Sequence, residues 1–272
     1  MQSRLQLRVQ RYGWDRAAGD YGRLWLRQLE PAHRAVMRLA GLRTGERVLD
    51  VACGTGIIAL QAAHAVGPQG TVVATDISPV MLDGARRSAA ALDFCNVRFV
   101  QAHAEESVAA ADSFDVAICT LGLMYAPDPA RALRAMHASL RKDGRIVLAV
   151  WGERRHCGWA PVFPIVDAEV KSDVCPLFFD LGSPDALSSL CVSAGLHVIE
   201  ECRIRTLLNY ASADDACDAA FIGGPVALAW SRFTDAARKR ARARYVEAIA
   251  PFAVGTGYSI PGEFVIVKAV KR

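Results

Sequence analysis

The sequence lacks the features of an exported or membrane-embedded chain. None of its apolar stretches approaches the roughly 20 residues needed to cross a bilayer. Its N-terminus, MQSRLQLR, also lacks the apolar core of a signal peptide. We therefore expect a cytoplasmic protein without a membrane span. With 272 residues and 52% hydrophobic content, the chain is long enough to bury a substantial core and to fold unaided.

The cysteines lack the spacing of a metal site. All eight are scattered along the chain without a C-x-x-C pair, and only His156 and Cys157 are neighbours. Zinc ligands are usually closely spaced, and structural disulfides are uncommon in a reducing compartment. We expect most of these cysteines to be small buried apolar residues, and we expect no metal ion.

The positive charge of the chain is modest, and its densest cluster has the pattern of a solvated helix face. The net charge is +4, and the run RKRARAR occupies residues 238–244. On a helix, Ala237, Ala241, Tyr245 and Ala248 would form an apolar stripe that leaves the arginines in solvent. No aromatic residues are interleaved for base stacking, so we expect no nucleic-acid partner.

Two neighbouring segments predict a site for a nucleotide-like ligand. The first, RVLDVACGTGIIALQ at 47–61, is an apolar run followed by a glycine turn and a helical pattern. This order exposes backbone N–H groups to a ligand. The second, TVVATDI at 71–77, is rich in β-formers and contains Asp76 at its end. An acidic side chain about 20 residues after such a turn is placed to accept hydrogen bonds from ribose hydroxyls.

The glycine turn alone does not identify the ligand, because GTGIIA at 54–59 also satisfies the G-x-G-x-x-G/A fingerprint of dinucleotide-binding folds. However, DVACGTG from Asp50 and DISPVML from Asp76 resemble class I S-adenosylmethionine-dependent methyltransferases, in particular their type 11 or ubiquinone/menaquinone methyltransferase-like branch. Further similar segments are AHAE at 102–105, DSFDV at 112–116, APDP at 126–129 and LRKDGRIVL at 140–148. The resemblance follows the family's order over roughly residues 45–151.

Alternating β-like and helix-like segments predict an α/β fold. The strand candidates are 47–52, 71–75, 97–101, 115–121 and 144–151, and the helix candidates are 57–66, 79–92, 104–111 and 129–141. We expect these strands to be parallel, with helices on both faces of the sheet. Two further strand candidates are 196–210 and 262–271. The resemblance implies that they close a Rossmann-like seven-stranded sheet whose last strand is antiparallel and follows a helical insertion.

The expected organisation has four parts. They are an N-terminal helical lid segment at 1–44, a Rossmann-like cofactor-binding core at 45–210, a helical insertion or cap at 211–260, and the final strand of the core sheet at 261–272. In the family, such an insertion often packs over the acceptor site. The aromatic residues of the first segment recur at helical spacing, which favours packing in the core, whereas relatives fold this region over the cofactor.

The resemblance implies S-adenosylmethionine as the cofactor, with a binding set at the ends of the predicted strands. This set is Asp50, Ala52, Gly54, Thr55, Gly56, Asp76, Ile77, Met81, Ala102, His103, Ala104, Thr120 and Leu121. The glycines permit backbone conformations that a Cβ would forbid, and Ser78 is expected to cap the helix that begins at Pro79. His103 stands where many relatives carry an aspartate that accepts a hydrogen bond from the adenine amino group. A neutral imidazole can accept this bond and a protonated one cannot, but a surface histidine without ligand contact is an equal alternative.

The acceptor is expected to be a small, partly apolar molecule. The candidate lining residues are Tyr12, Tyr21, Met124, Tyr125 and Trp151, which would equally suit a packed loop at the edge of the sheet. Methyl transfer by in-line displacement depends chiefly on positioning. No spacing rule singles out a catalytic base, although His156 and Tyr125 are available.

The sequence thus predicts a cytoplasmic methyltransferase that acts on a small-molecule acceptor. Two alternatives stay open. One is a catalytically silent, cofactor-binding partner subunit on the same fold. The other is an NAD(P)-dependent oxidoreductase. Short-chain dehydrogenases place a lysine four residues after a tyrosine, and no tyrosine of this chain has a lysine at that spacing, which disfavours this alternative. The acceptor atom and the oligomeric state leave no pattern that we can interpret.

Overall fold

The computed structural model describes residues 3–108, 110–170 and 178–272. Its helices are α1 Ser3–Ala40, α2 Ile57–Val66, α3 Pro79–Ala91, α4 Pro129–Ser139, α5 Val162–Val170, α6 Ala186–Ser193, α7 Ala213–Phe221, α8 Ala227–Ser231 and α9 Asp235–Ile249. Its strands are β1 Arg47–Val51, β2 Thr71–Asp76, β3 Val97–Gln101, β4 Phe114–Thr120, β5 Leu140–Trp151, β6 Leu196–Tyr210, β7 Ala253–Val254 and β8 Gly257–Lys271. The predicted α/β class is confirmed.

The strands form one mixed sheet in the order β3-β2-β1-β4-β5-β8-β6, and the two-residue strand β7 pairs beside β8. Strands β1 to β5 are parallel, while β8 runs antiparallel to both β5 and β6. The strand order reverses between β1 and β4, which lie side by side. In parallel sheets a ligand crevice opens at such a switch point, beyond the carboxyl ends of the strands.

The central strands are apolar because both of their faces are covered by other parts of the chain. Strand β1 is buried from its second residue onward, and the last six residues of β5 are buried. Helices α3 and α4, which lie next to the switch point, begin with side-chain caps. Ser78 accepts a hydrogen bond from the Met81 N–H at 3.1 Å, as predicted, and Asp128 accepts one from the Arg131 N–H at 2.9 Å.

The predicted helix at 104–111 is wrong, since the described residues of this range form only a turn and irregular backbone. The Glu105 carboxylate accepts a hydrogen bond from the Asp128 N–H at 3.0 Å, and Glu106 accepts one from the His103 N–H at 3.2 Å. Hydrogen bonds from side chains to the backbone thus replace the helical pattern that the composition favours.

Two strands are longer than predicted. Strand β5 begins at Leu140, and its pairing with β4 shifts register between Phe114 and Val116. Strand β8 begins at Gly257 because the whole of β6 pairs with it, as far as Tyr210 opposite Tyr258. The final strand therefore begins four residues before the boundary predicted at 261.

Helix α1 runs without interruption through most of the predicted lid segment. Its second half buries Leu24, Leu29 and Val36 in the core. The side-chain amide of Gln28 donates to the Asn209 carbonyl at 2.7 Å, and its oxygen accepts from the Asn209 N–H at 3.0 Å. These two bonds satisfy backbone groups on the edge strand β6 and fix α1 along the sheet.

Helices α7 to α9 lie within residues 211–260, the range that was predicted as a helical insertion. The buried stripe of α9 consists of Ala237, Ala241, Tyr245 and Ile249, so Ile249 takes the place predicted for Ala248. No helix in the described ranges is long and apolar enough to cross a bilayer. The described cysteines are free thiols, and Cys175 lies outside the described residues.

Arg145 on β5 joins the end of α1 to the sheet. It donates to both carboxylate oxygens of Glu46, at 2.8 and 2.7 Å, and to the Gly41 carbonyl at 2.9 Å. The side chains of both charged partners are at most 15% exposed. Burial raises the pKa of the Glu46 carboxyl, but the bonds from Arg145 outweigh it and hold that pKa below its usual value.

We expect Arg145→Met to lower the free energy of unfolding by about 2 kcal/mol at neutral pH, because Glu46 would remain charged, shielded from water and unpaired. Urea denaturation measures this change. The loss should shrink as the pH falls through the lowered Glu46 pKa, since protonation removes the charge that Arg145 stabilises. Arg134→Met is the control, since Arg134 is exposed and should change stability by less than about 0.5 kcal/mol. Equal urea midpoints for the two variants would contradict this role.

Candidate functional site

A cavity opens beside the glycine turn that follows β1, and we call it the glycine-turn cavity; its empty space is about 730 Å³ when the part open to solvent is included. Its floor comes from segments that follow β1, β2, β3 and β4, and α1 covers it. It is lined by Leu7, Gln10, Trp14, Tyr21, Ala52, Gly54, Asp76, Ile77, Met81, Ala102, His103, Ala104, Glu105, Thr120, Leu121, Gly122, Tyr125, Ala126 and Pro127. The cavity therefore lies at the switch point of the sheet.

The floor of this cavity is built from strained backbone. Gly54 and Gly56 have φ values of 55° and 85°, and a Cβ on Gly56 would lie 2.8 Å from the Ala85 Cβ. Ala52 and Leu121 also adopt positive φ, at 59° and 60°, which is unfavourable for residues with a Cβ. Such strain is often found where backbone is shaped to meet a ligand.

The turns that follow β1 and β4 approach each other closely. A Cβ on Gly122 would lie 2.3 Å from the Ala52 Cβ and 3.1 Å from the Cys119 Sγ. Only glycine at this position lets the two turns form one continuous floor. Gly122 is absent from the predicted cofactor set, although a glycine directly after the predicted strand at 115–121 was a usable signal.

The Asp76 carboxylate connects the segments that follow β1 and β2. One of its oxygens accepts from the Gly54 N–H at 2.8 Å, and the other accepts from the Ser78 N–H at 2.9 Å. The Ser78 hydroxyl then donates to Asp15 on α1 at 2.6 Å. Each Asp76 oxygen retains acceptor capacity for a ligand hydroxyl.

Burial shifts the titration of Asp76. Loss of solvent raises the pKa of this carboxyl to about 6, although the N–H groups of Ser78 and Gly54 oppose the shift and Asp15 adds to it. Asp50 lies under the same turn, 1% exposed, and burial together with Asp76 raises its pKa to about 8. Asp50 was predicted in the cofactor set, but the structure places it beneath the cavity wall.

Two polar atoms on residues that line the cavity are buried without a hydrogen-bond partner among the described residues. They are the Nδ1 atom of His103 and the Oγ1 atom of Thr120. The other ring nitrogen of His103, Nε2, lies 3.1 Å from the Glu106 carboxylate. If Nε2 carries the proton and donates it to Glu106, Nδ1 is left as an acceptor. Buried polar atoms without partners are rare in folded proteins, so both atoms mark places where a ligand would supply the missing bond.

Thirteen residues were predicted to bind the cofactor. The cavity wall includes Ala52, Gly54, Asp76, Ile77, Met81, Ala102, His103, Ala104, Thr120 and Leu121. It does not include Asp50, Thr55 or Gly56. The main residues that sequence analysis missed are Leu7, Gln10 and Trp14 on α1, where helical spacing alone does not say which face meets a ligand.

The predicted acceptor residues separate into three groups. Tyr21 and Tyr125 line the glycine-turn cavity, and Trp151 lines a second cavity that adjoins it. Met124 is buried behind the wall, at 4% exposure. Tyr12 is 43% exposed, and the Arg11 guanidinium covers its ring at 4.7 Å. Residues 12 and 14 of a helix differ by about 200° in direction, which explains why Trp14 faces the cavity and Tyr12 faces solvent.

His156, one of the two candidate bases, lines neither cavity. Its Nδ1 lies 3.0 Å from a carboxylate oxygen of Glu263, and Arg203 donates to that oxygen at 3.2 Å. Burial raises the pKa of the Glu263 carboxyl, but the bonds from His156 and the Glu153 N–H outweigh it and lower that pKa. Glu153, His156 and Glu263 could together present three ligand atoms to a metal ion. Arg203 already supplies positive charge to this cluster, which makes it an ion-pair network of the fold.

Comparisons with known proteins agree with this geometry. A family model described as a methyltransferase domain matches residues 42–172. Aklanonic acid methyltransferase DauC of Streptomyces sp. (strain C5) is 34% identical over 133 residues, which cover 49% of this chain and 60% of that protein. The ubiquinone/menaquinone biosynthesis C-methyltransferase UbiE of Pseudomonas savastanoi pv. phaseolicola (strain 1448A / Race 6) is 37% identical over 135 residues, 49% and 50% of the two chains. The chain thus spans between half and three fifths of the length of these relatives.

Solved structures extend the likeness of the fold over nearly the whole chain. Geranyl diphosphate C-methyltransferase of Streptomyces coelicolor A3(2) superposes with a TM-score of 0.56 at 15% identity, covering 91% of this chain and 81% of that one. The [4+2]-cyclase SpnF superposes with a TM-score of 0.62 at 19% identity, covering 91% and 82%. At such low identity the superpositions show the fold alone. In sequence, residues 42–172 of this chain match the family model described as a methyltransferase domain.

Proposed function

We propose that the chain binds S-adenosylmethionine in the glycine-turn cavity and transfers its methyl group to a small-molecule acceptor. The observation that carries this proposal is the Asp76 carboxylate, which is hydrogen-bonded to the glycine turn at 2.8 Å and lines the glycine-turn cavity. The match of residues 42–172 to a methyltransferase domain supports the reaction class. The names of DauC and UbiE support a small-molecule acceptor.

The residues of the cavity fit the parts of this cofactor. Asp76 would accept hydrogen bonds from the ribose hydroxyls, and Ile77 and Met81 offer apolar contact to a flat base. His103 would accept from the adenine amino group through Nδ1, which lacks a partner in the described structure. The glycine turn lets the backbone approach the methionine moiety closely. We assign these contacts to the predicted cofactor set, without Asp50, Thr55 and Gly56 as direct contacts.

The chain contributes positioning and the exclusion of water. The bound cofactor supplies a methyl group that is activated by a sulfonium. Transfer of this methyl group to the lone pair of an acceptor would leave S-adenosylhomocysteine as the second product. Trp14 and Tyr21 of α1 cover the cavity and shield this displacement from water. We assign no catalytic base.

We also propose a division of roles along the chain. Helix α1 acts as a lid over the cofactor, because it carries Trp14 and Tyr21 to one side of the cavity and Asp15 to the Ser78 hydroxyl. The insertion at 211–260 acts as a cap beside the acceptor. The Rossmann-like core at 45–210 and the last strand hold the cofactor turns in place.

The proposal predicts that S-adenosylmethionine and S-adenosylhomocysteine bind the purified protein and that NADH does not. Asp76→Ala should weaken binding of both sulfur compounds at least about tenfold, since two hydrogen bonds to a charged acceptor are lost. Calorimetric titration measures this effect. Asp83→Ala is the matched control, because Asp83 is exposed on α3 and pairs with Arg86 on the same helix.

Three outcomes of this titration would count against the proposal. Binding of NADH alone would favour the oxidoreductase. A failure of all three compounds to bind would remove the cofactor assignment. Binding without methyl transfer to any of a broad panel of acceptors would favour a catalytically silent subunit.

Binding of S-adenosylhomocysteine should depend on pH through Asp76. The pKa of this carboxyl is raised to about 6, and only its ionised form accepts hydrogen bonds at both oxygens. Affinity should therefore be constant above about pH 7 and fall towards tenfold per pH unit below about pH 6. Asp15→Asn should move the midpoint to lower pH, because it removes a negative charge that raises this pKa.

Protonation of His103 would also lower the affinity for S-adenosylhomocysteine, so a second variant separates its contribution from that of Asp76. His103→Gln keeps an acceptor but does not titrate. If the decline below pH 6 persists in this variant, Asp76 causes it, and if it disappears, His103 does. An affinity that stays constant across the whole pH range in the unmodified protein would refute both contributions.

A further inference from the structure

Helix α1 presents one continuous face to solvent. Thirteen of its residues between Arg4 and Arg38 are exposed, and they recur every three to four positions. Since successive residues of a helix are rotated by about 100°, these thirteen fall within an arc of about 160°. We call them the α1 outer face. The helix has 38 residues, so this face is roughly 50 Å long.

The α1 outer face is strongly basic. Seven of its thirteen residues are arginines and one, Glu30, is acidic, so the face carries six net positive charges. The whole chain carries a net charge of +4, which leaves all its other residues with a net charge of −2. The positive charge of the chain is therefore concentrated on this one face. Such an asymmetry indicates a partner with many negative charges.

Most of these arginines are not neutralised by acids of the chain. Asp20, at the edge of the face, pairs with Arg23 at 2.9 Å, and Arg34 pairs with Glu30 within the face. Arg38 lies 3.8 Å from Glu200. The other four have no ion pair with any residue that the structure describes, and they are Arg4, Arg8, Arg16 and Arg27.

The basic helix α9 differs in this respect. Arg240 donates to Glu169 of α5 at 2.7 Å, and Arg242 donates to Asp218 of α7 at 3.2 Å. Acids on neighbouring helices thus satisfy part of the charge of α9, which has the role of a packed and solvated helix. The α1 outer face has no comparable set of acids opposite it, and its charge is available to a partner.

Apolar side chains are interleaved with the arginines of the α1 outer face. Leu5, Val9 and Tyr12 are 49%, 36% and 43% exposed, and their i, i+4, i+7 spacing places them on one stripe. Leu26 is 47% exposed further along the same face. Ten large apolar side chains are exposed in the described part of the chain, and four of them lie here. Single exposed apolar residues are ordinary, whereas a stripe of them indicates a contact surface.

The combination of charge and apolar side chains selects the kind of partner. A basic helix face with interleaved apolar residues is typical of helices that lie in the plane of an anionic bilayer surface. There the arginines meet lipid phosphates, and the apolar side chains enter the boundary between headgroups and acyl chains. Nucleic acid would pair with the same arginines, but it would gain nothing from Leu5 and Val9, which cannot stack on bases.

A bilayer on this face would leave the glycine-turn cavity accessible to the protein's own side chains. Leu7, Gln10 and Trp14 line that cavity, and their helical positions lie roughly opposite the centre of the α1 outer face. One side of α1 therefore covers the cavity while the other side is free to bind a surface.

We propose that the α1 outer face binds the surface of an anionic lipid bilayer, with Leu5, Val9 and Tyr12 inserted at the headgroup boundary. The helix lies on the bilayer and does not cross it. This inference goes beyond the proposed methyl transfer and does not depend on it, since the α1 outer face does not line the glycine-turn cavity.

Flotation of the full-length protein with lipid vesicles tests this proposal. We expect binding to vesicles of equimolar phosphatidylglycerol and phosphatidylcholine, and at least tenfold weaker binding to vesicles of phosphatidylcholine alone. Binding to the anionic vesicles should weaken as salt is added, because salt screens exposed charges. Absence of binding to the anionic vesicles at low salt, or equal binding to both kinds of vesicle, would overturn the proposal.

A triple variant locates the binding face. Each arginine near an anionic surface contributes about fivefold in affinity, so Arg4→Gln, Arg8→Gln and Arg16→Gln combined should weaken vesicle binding at least tenfold. The control combines Arg98→Gln, Arg154→Gln and Arg232→Gln, which remove the same charge from exposed positions outside α1. The thermal unfolding midpoint reports on the folding of both variants. Equal vesicle binding by the two folded variants would show that net charge alone attracts the protein, and the assignment to α1 would be wrong.

A second variant separates a bilayer from other polyanions. Leu5→Ser combined with Val9→Ser keeps every charge and removes the apolar contact, so we expect at least about tenfold weaker vesicle binding. Unchanged vesicle binding in this variant would contradict insertion at the headgroup boundary. Titration with duplex DNA at the same salt completes the test. Tighter binding to DNA than to anionic vesicles would identify a nucleic-acid surface and refute the proposal.

Discussion

The Asp76 carboxylate is the contact on which the rest of the site depends. It accepts hydrogen bonds from the Gly54 and Ser78 N–H groups, and so it fixes the turns that follow two neighbouring strands. Through the Ser78 hydroxyl the connection reaches Asp15 on α1. One buried acid therefore positions the floor of the glycine-turn cavity and one side of its cover. Its raised pKa of about 6 reflects the cost of keeping this charge away from water without a cation.

The two cavities differ in which parts of the chain supply most of their walls. Most of the glycine-turn cavity is built from strand ends within residues 42–172, the part that matches the methyltransferase domain. The adjoining cavity combines Trp151 and Trp159 of that part with Trp14 and Trp25 of α1 and with Gly223, which lie outside it. This separation fits the partial coverage of the relatives, which share about half of this chain. A shared cofactor would preserve the glycine-turn cavity, while different acceptors would change the adjoining one.

Much of the core could be predicted because the deciding patterns are local. Apolar runs interrupted by glycine and acidic residues predicted the bounds of β3, β6 and α2 correctly, and Ser78 and Pro79 predicted the start of α3. The helix expected at 104–111 failed for a non-local reason. Glu105 bonds to the Asp128 N–H, 23 residues away, and no local pattern reveals that partner.

The candidate site also contains residues that a local pattern reveals and residues whose position depends on non-local contacts. The spacing in the sequence is enough to predict Gly54, Gly56 and Asp76 as site residues. Which face of α1 lines the cavity, however, depends on how the whole helix packs. For that reason Tyr12 was expected in the site and is 43% exposed, whereas Trp14, for which core packing and a lid role both stayed open, lines both cavities. The close approach of Gly223 to Trp25 was not predictable, since Trp25 lies about 200 residues earlier in the chain.

The central claim is that the activated methyl group lies in the glycine-turn cavity beside Tyr21 and Tyr125, which line both cavities. NMR of the protein with S-adenosylmethionine labelled with carbon-13 in its methyl group tests this directly. We expect a ring-current shift of the bound methyl signal and nuclear Overhauser effects to the aromatic protons of Tyr21 and Tyr125, with the latter set lost in Tyr125→Leu. A bound methyl signal at the position of the free cofactor, without contacts to aromatic protons, would contradict the account.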